Sequence, residues 1–322
     1  MSANSVHHDQ ASATASGAPQ GERVFDDILQ AATHQTTLLL AIAKDDVADA
    51  AISVTAALAE RRNAAPTVLE VVDPSSYAPP IVPTVMQMAD ALIGEGTNQE
   101  RCRAIAARVE KVCGPVTWPI VSRLGNPAAC IADEAHQRHS ELLVLGLHHH
   151  GKADSLLGTE TTIHVVTRAG IPVIGVTRAM CGLPRRILVG VDFGRASWRV
   201  ARLAARLIEP PGHLVLAHVA YPRPTTMPED LEGDEAIFSE GIHALFEHLK
   251  RDIQPREGVR VKTVRLTGEP GRALTEYAES MNPDMIAVAS QQHSRIVRLL
   301  LGSVSRHIIR DGRWSVLVTP PV

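Results

Sequence analysis

The chain repeats itself, and that repeat limits the folds open to it more than any other feature. GNPAACIADEA, residues 125–135, is answered by GEPGRALTEYA, residues 268–278. SELLVLG (140–146) is answered by PDMIAVA (283–289), and IPVIGVT (171–177) by WSVLVTP (314–320). Between them, Gly158-Thr159 is answered by Gly302-Ser303. Landmarks that return in one order, displaced by about 140 residues, signal a duplicated unit.

Inside each unit, short apolar runs alternate with helical patterns. The first unit reads as strands from Thr37 (LLLAIA), at Thr67–Val72, near Val116–Leu124, at Glu141–Leu147 and at Val173–Val176. Helical patterns at Val47–Arg62, up to about Val112, and after Gly125-Asn126-Pro127 separate them. The second unit places strands at Arg186–Val191, His213–Val219, Val259–Leu266, Met285–Ala289 and Val316–Val318. Its helices are expected at Ala196–Ile208, at about Glu235–Asp252, after Gly268-Glu269-Pro270, and from Gly302-Ser303 to a stop at Asp311-Gly312. Val200, Leu203, Ala204 and Leu207 share one helical face. Apolar runs too short for helices, alternating with helices, predict an α/β fold of two tandem, doubly wound parallel sheets. The expected division is a disordered tail at 1–33, a first domain at 34–178, a linker at 179–185 and a second domain at 186–322. So short a linker keeps the halves together.

Composition narrows function mainly by exclusion. At 322 residues the chain has length for two domains, and its net charge of -3 lacks the basic excess of a nucleic-acid binder. Aromatic residues are 3% of the chain, few for stacking on bases. No apolar run is long enough to span a membrane, and the small, polar first residues lack a secretory leader's pattern. Cys102, Cys113, Cys130 and Cys181 show no C-x-x-C or zinc-finger spacing, so reduced thiols and a cytoplasmic location are expected.

The stretch from Met285 to Val318 carries the clearest site pattern: strand, polar loop, then Gly302-Ser303 opening a helix. The free N–H groups of a helix start and the positive end of its dipole attract an anion. The same Ser303 or Thr159 could instead serve as a helix cap, and Asp192 could cap the helix that follows it.

The ordered landmarks ILVGVDFG, LAHV, LTGEPG and LLLGSVSRHIIR…WSVLV resemble the universal stress protein domain, and the resemblance runs twice over nearly the whole chain after about residue 34. It implies an adenine-nucleotide alpha hydrolase-like, Rossmann-like fold. It further implies that Val173–Val176 and Val316–Val318, last strands of their units, pair antiparallel as an intrachain pseudo-dimer. Nucleotide-binding members carry G-x2-G-x9-G-(S/T) in the last loop, with an Asp after the first strand and a Val ending the second. In the second unit Asp192, Val219, Gly302 and Ser303, followed by Val304, match, while Ala289 and Gln292 stand for the two glycines. In the first unit Gly146, Gly158 and Thr159 match. There His149 takes the second glycine's place, the loop is one residue short, and Ala43 stands for the Asp, with Asp45 and Asp46 near it. The resemblance therefore implies a stress-response binding and signalling module rather than an enzyme, with ATP as the candidate cofactor in the second unit, an unknown protein partner and a homo-oligomer. The alternatives are a nucleotide-free interaction scaffold and a slow ATP hydrolase.

Other constellations carry less. His148-His149-His150 with Asp154 could ligate a metal, but adjacent loop residues seldom converge on one centre, so a polar loop is expected. Arg295 and Arg298 read as a solvated basic loop or as phosphate contacts, and His218 as a strand-end histidine. No G-x-S-x-G, H-E-x-x-H or G-x-x-x-x-G-K-[ST] occurs, so no catalytic residue is assigned.

Overall fold

The computed structural model describes residues 36–43, 47–74, 95–147, 158–220, 232–290 and 301–321. The first repeat runs β1 (Thr37–Ile42), α1 (Ala48–Arg62), β2 (Ala65–Val72), α2 (Glu95–Cys113), β3 (Ile120–Leu124), α3 (Pro127–Gln137), β4 (Leu142–Gly146), α4 (Thr159–Ala169) and β5 (Val173–Val176). The second runs β6 (Arg186–Gly190), α5 (Arg195–Leu207), β7 (Gly212–Ala220), α6 (Glu232–Ile253), β8 (Val259–Thr267), α7 (Pro270–Met281), β9 (Met285–Ala289), α8 (Ser303–Asp311) and β10 (Ser315–Thr319). Residues 1–35, with the whole of the expected tail, lie outside the described residues, as do 44–46, 75–94, 148–157, 221–231, 291–300 and 322.

One ten-stranded sheet runs through the molecule in the order β3-β2-β1-β4-β5-β10-β9-β6-β7-β8. Among the described residues each half is parallel throughout, and the sole antiparallel pair is β5 with β10. Its register sets Val316 opposite Gly175, Leu317 opposite Ile174 and Val318 opposite Val173. The expected pseudo-dimer is thus formed within one chain. Val173, Ile174, Val316, Leu317 and Val318 are all buried, each contributing about 1.5–3 kcal/mol. A ladder hydrogen bond contributes about 1 kcal/mol, so apolar packing holds this seam more than the ladder does. Polar contacts flank it. The Ser315 hydroxyl accepts from Thr177 N at 3.0 Å and lies 3.1 Å from the Thr177 hydroxyl. Arg310 of α8 meets Glu160 of α4 at 2.9 Å.

Sheet alternation divides the core in two. Leu38, Leu40, Ile187, Val189 and Leu317 face α1, α2, α5 and α6. Leu39, Ala41, Leu188, Ile286 and Val318 face α3, α4, α7 and α8. Both faces being covered explains why β4, Leu-Leu-Val-Leu-Gly, is buried at every position. The predicted stripe Val200, Leu203, Ala204 and Leu207 lies wholly buried on α5.

One strand departs from expectation. The apolar run at Val116 predicts a strand from there, yet β3 starts only at Ile120. Pro119 supplies a carbonyl to Val68 N at 2.8 Å but has no N–H to continue the ladder, and Val116 is 39% exposed.

The helix after β3 and its counterpart after β8 start alike, as their parallel sequences suggest. Asn126 accepts from Ala129 N at 3.1 Å to open α3. Glu269 accepts from Gly271 N at 3.1 Å and Arg272 N at 2.8 Å to open α7, each with Pro just inside. These backbone N–H groups, Arg272's foremost, hold the Glu269 carboxyl below its ordinary pKa. A second equivalence was not legible from residue type. Glu141 and Asp284 both precede a central strand and reach back to the first strand of their unit. Asp284 accepts from Arg185 N and Arg186 N at 2.7 and 2.8 Å, and Glu141 from Thr37 N at 3.4 Å.

Candidate nucleotide site

In the second repeat the carboxyl ends of β6, β7 and β9 lie side by side. Gly190 pairs with Ala217, and Val189 with Ala287. Two residues past Gly190 comes Asp192, exposed, and Val219 lies half-buried near the end of β7. Gly190 itself is required by packing. A Cβ there would sit 2.9 Å from Leu274 Cδ1 and 3.2 Å from Val288 Cγ1, so α7 and β9 close on β6 just before Asp192.

Asp192 does take part in starting the next helix. Its Oδ1 accepts from Gly194 N at 2.8 Å, and Gly194 is the residue that begins α5. Its own N–H donates to Ser197 Oγ at 3.4 Å. This turn ties the carboxylate to the strand end and leaves it exposed. Phe193, between them, holds φ +61°, a left-handed conformation unusual for a bulky residue. Its ring lies 4.8 Å from that of His218 and 5.1 Å from that of Phe246. His218 Nδ1 is 2.9 Å from Val191 O, so this histidine is the strand-end residue expected, held on the face opposite Val219.

The helix start is where sequence alone could not choose between capping and ligand binding. In the structure Gly302 is the N-cap of α8 and makes no side-chain cap bond. Ser303 is therefore the first helical residue, exposed, and its hydroxyl does not cap the helix. The residue that anchors the helix is one that sequence reasoning passed over. Ser305 Oγ donates to Ala289 O at 3.3 Å, fastening the first turn of α8 to the end of β9. A hydroxyl two residues beyond the Gly-Ser pair was the available signal. Val304 packs half-buried against the core, so only its backbone can serve a ligand. Ala289 is half-buried at the strand end. The structure thus ties Ala289 to the first turn of α8 through Ser305, two residues past Ser303, and sets Asp192 and Val219 on the neighbouring strand ends. Gln292, Arg295 and Arg298 lie outside the described residues.

The first repeat preserves the frame without the acceptor. Gly158 is the N-cap of α4 and Thr159 its first residue, as Gly302 and Ser303 are for α8. Ala43, where the second repeat has Asp192, is 9% exposed and belongs to the core. Gly146 has a packing reason to be glycine. A Cβ there would lie 3.1 Å from Val47 Cγ1, at the start of α1. Asp45, Asp46, His148 to His150 and Asp154 lie outside the described residues.

Nothing else among the described residues competes as a reaction centre. No group of three metal-binding side chains occurs among them, and no helix is long and apolar enough to cross a membrane. All four cysteines are free. Burial raises the thiol pKa of Cys113 and, joined by Asp133, that of Cys130, which disfavours a reactive thiolate.

Comparison with known proteins gives one consistent result. The model of the universal stress protein family matches residues 36–177 and again 184–320. Universal stress protein MJ0531 of Methanocaldococcus jannaschii is 34% identical over 84 residues, which are 26% of this chain and 48% of that protein. The chain thus matches about half the length of that relative. A crystal structure of a universal stress protein from Archaeoglobus fulgidus superposes with a TM-score of 0.60 at 18% identity, covering 88% of this chain and 98% of that one. A putative universal stress protein from Pseudomonas aeruginosa gives a TM-score of 0.54 at 12% identity, covering 89% and 93%. At such identities the structural matches speak for fold alone, whereas the family match spans both repeats. The chain belongs to the universal stress protein family and carries its domain twice in tandem.

Proposed function

We propose that the second repeat binds an adenine nucleotide, ATP by the family's pattern, and that the first repeat does not. The protein then acts as a cytoplasmic stress-response module that signals through a protein partner, without turning substrate over. The observation that carries this reading is the start of α8, where Ser303 stands exposed with no capping bond and Ser305 ties the helix to Ala289. A helix start held in place, with N–H groups and a hydroxyl uncommitted to capping, suits a phosphate. Asp192 supplies an acceptor for an adenine amino group, and Val219 an apolar wall.

Two observations separate the repeats. Ala43 places a methyl where Asp192 offers a carboxylate, and the space beside Gly146 is taken by Val47. The first repeat therefore suits the nucleotide-free scaffold role, and the division of the chain near 179–185 separates a binding half from a supporting half.

Thermal unfolding of the whole chain with and without Mg²⁺-ATP tests the proposal. Ligand at 100 times its dissociation constant stabilises by about 2.7 kcal/mol, so melting should rise by several degrees. No rise at millimolar ATP would sink the nucleotide reading and leave the scaffold. Release of phosphate that disappears in Ser303→Ala would show turnover and overturn the non-enzymatic role.

A further inference from the structure

A cavity lies at the other end of the sheet from Asp192 and Ser303. It has a volume of about 560 Å³ and is bounded by the linker, the amino ends of β6 and β9, and Trp314 before β10. That volume is in the range of small-molecule sites.

Its charges do not cancel, and the imbalance is specific. Five charged side chains line it: Arg185, Arg186, Arg313, Glu209 and Asp284. Arg186 faces Asp284 at 3.6 Å. Arg313 is held by Asp311 at 2.7 Å and Glu279 at 2.6 Å, and Glu209 pairs with Arg61. Arg185 alone has no side-chain ion pair or hydrogen bond among the described residues, although Asp284 fixes its backbone N–H at 2.7 Å. The wall therefore presents one unmatched guanidinium on a fixed backbone. Beside it, half-buried Leu183 and the edges of the buried Met180, Pro283 and Trp314 provide an apolar surface, with the Arg313 guanidinium 4.4 Å from the centre of the Trp314 ring.

We infer that this linker cavity is a binding site for a small organic carboxylate. The carboxylate pairs with Arg185, and its apolar body rests on Leu183 and Trp314. A planar guanidinium accepts a carboxylate through two parallel hydrogen bonds. A multiply charged phosphate fits less well, because Asp284 and Glu209 stand in the same wall and a single guanidinium is free. The cavity joins Thr177 after β5 to Asn282 and Trp314 of the second repeat, so an occupant touches both halves of the chain. The site is independent of the nucleotide proposal.

Calorimetric titration of the full chain with 4-phenylbutyrate and with its neutral amide tests this. The acid is expected to bind at least tenfold more tightly than the amide, and Arg185→Gln to abolish that difference. Arg185 is exposed, so the variant is expected to fold. Arg260→Gln, an exposed arginine on β8, is expected to leave it intact. Bound acid is also expected to slow alkylation of Cys181, an exposed thiol in the cavity wall, and Leu183→Trp to block both ligands. Equal affinity for acid and amide, no heat at millimolar acid, or a preference that survives Arg185→Gln would overturn the inference.

Discussion

Ser303 and Thr159 occupy equivalent places, and under the proposed function only Ser303 meets a phosphate. Ser303→Ala removes a hydroxyl that caps nothing, so stability measured by urea unfolding is expected to change by less than about 0.5 kcal/mol. A hydrogen bond to a charged phosphate contributes about 1.5–3 kcal/mol, so nucleotide affinity should fall roughly tenfold or more. A large stability loss would mean that the hydroxyl is structural. Glu269 is the converse case, a side chain whose work is structural. Glu269→Ala is expected to cost about 1 kcal/mol at neutral pH. Its folded pKa lies below the ordinary 4.5, so its contribution is complete above that value and is lost as pH falls through the lowered one. Urea unfolding of parent and variant should therefore converge on acidification below pH 4.5. A gap that persists at low pH would contradict this origin. Glu134 resists burial least comfortably. Desolvation opposes its charge, but bonds from Arg138 and Arg123 win, and its pKa falls. Its side chain is 2% exposed, between Arg138 at 2.5 Å and Arg123 at 2.8 Å. Glu134→Leu leaves Arg123 and Arg138 to solvent, their side chains being 47% and 36% exposed, so a loss of only about 1 kcal/mol is expected from thermal or urea unfolding.

At the scale of elements, β5 and β10 make the seam, and one glycine measures how tightly. A Cβ on Gly175 would come within 2.9 Å of Val316 Cγ2. Gly175→Ala is expected to destabilise by about 1–3 kcal/mol through overpacking. In a double-mutant cycle, Val316→Ala should relieve part of that cost. Additive losses would mean that the two residues do not meet. This pairing was legible beforehand, because the repeat and the family resemblance both identified the last strand of each unit. The buried strands were legible for a simpler reason: a strand covered on both faces is apolar at every position, as β4 is. The start of β3 was misread because Val116 looks like a strand residue while Pro119 withholds the donor the ladder needs. Helix capping at Ser303 was undecidable, since the same hydroxyl suits a cap and a phosphate. The choice rested on whether Gly302 or Ser303 takes the N-cap backbone conformation. Gly146 was undecidable in another way, because a glycine required by Val47 looks the same in sequence as one required by a ligand.

For the whole molecule, the duplication gives a pseudo-dimer whose halves have diverged. Shared devices persist where both halves need them: Glu141 and Asp284 at the strand starts, Asn126 and Glu269 at the helix caps. One device crosses between the halves. Arg61 of the first repeat donates to Leu207 O at 2.8 Å and Ile208 O at 3.1 Å, closing the end of α5 in the second. Burial, with Arg256 and Arg62 nearby, pushes its pKa down to about 10, so it stays charged at neutral pH. The halves are thus fastened by apolar strands and by an arginine cap, while their carboxyl-end sites differ at Asp192 and Ala43. On the proposed function a fixed frame holds nucleotide in one half only. This is tested by calorimetric titration of ATP into the full chain, into Ser303→Ala and into Thr159→Ala. One site per chain is expected, weakened roughly tenfold by Ser303→Ala and unchanged by Thr159→Ala. Two sites, no site, or a site that depends on Thr159 instead would contradict it.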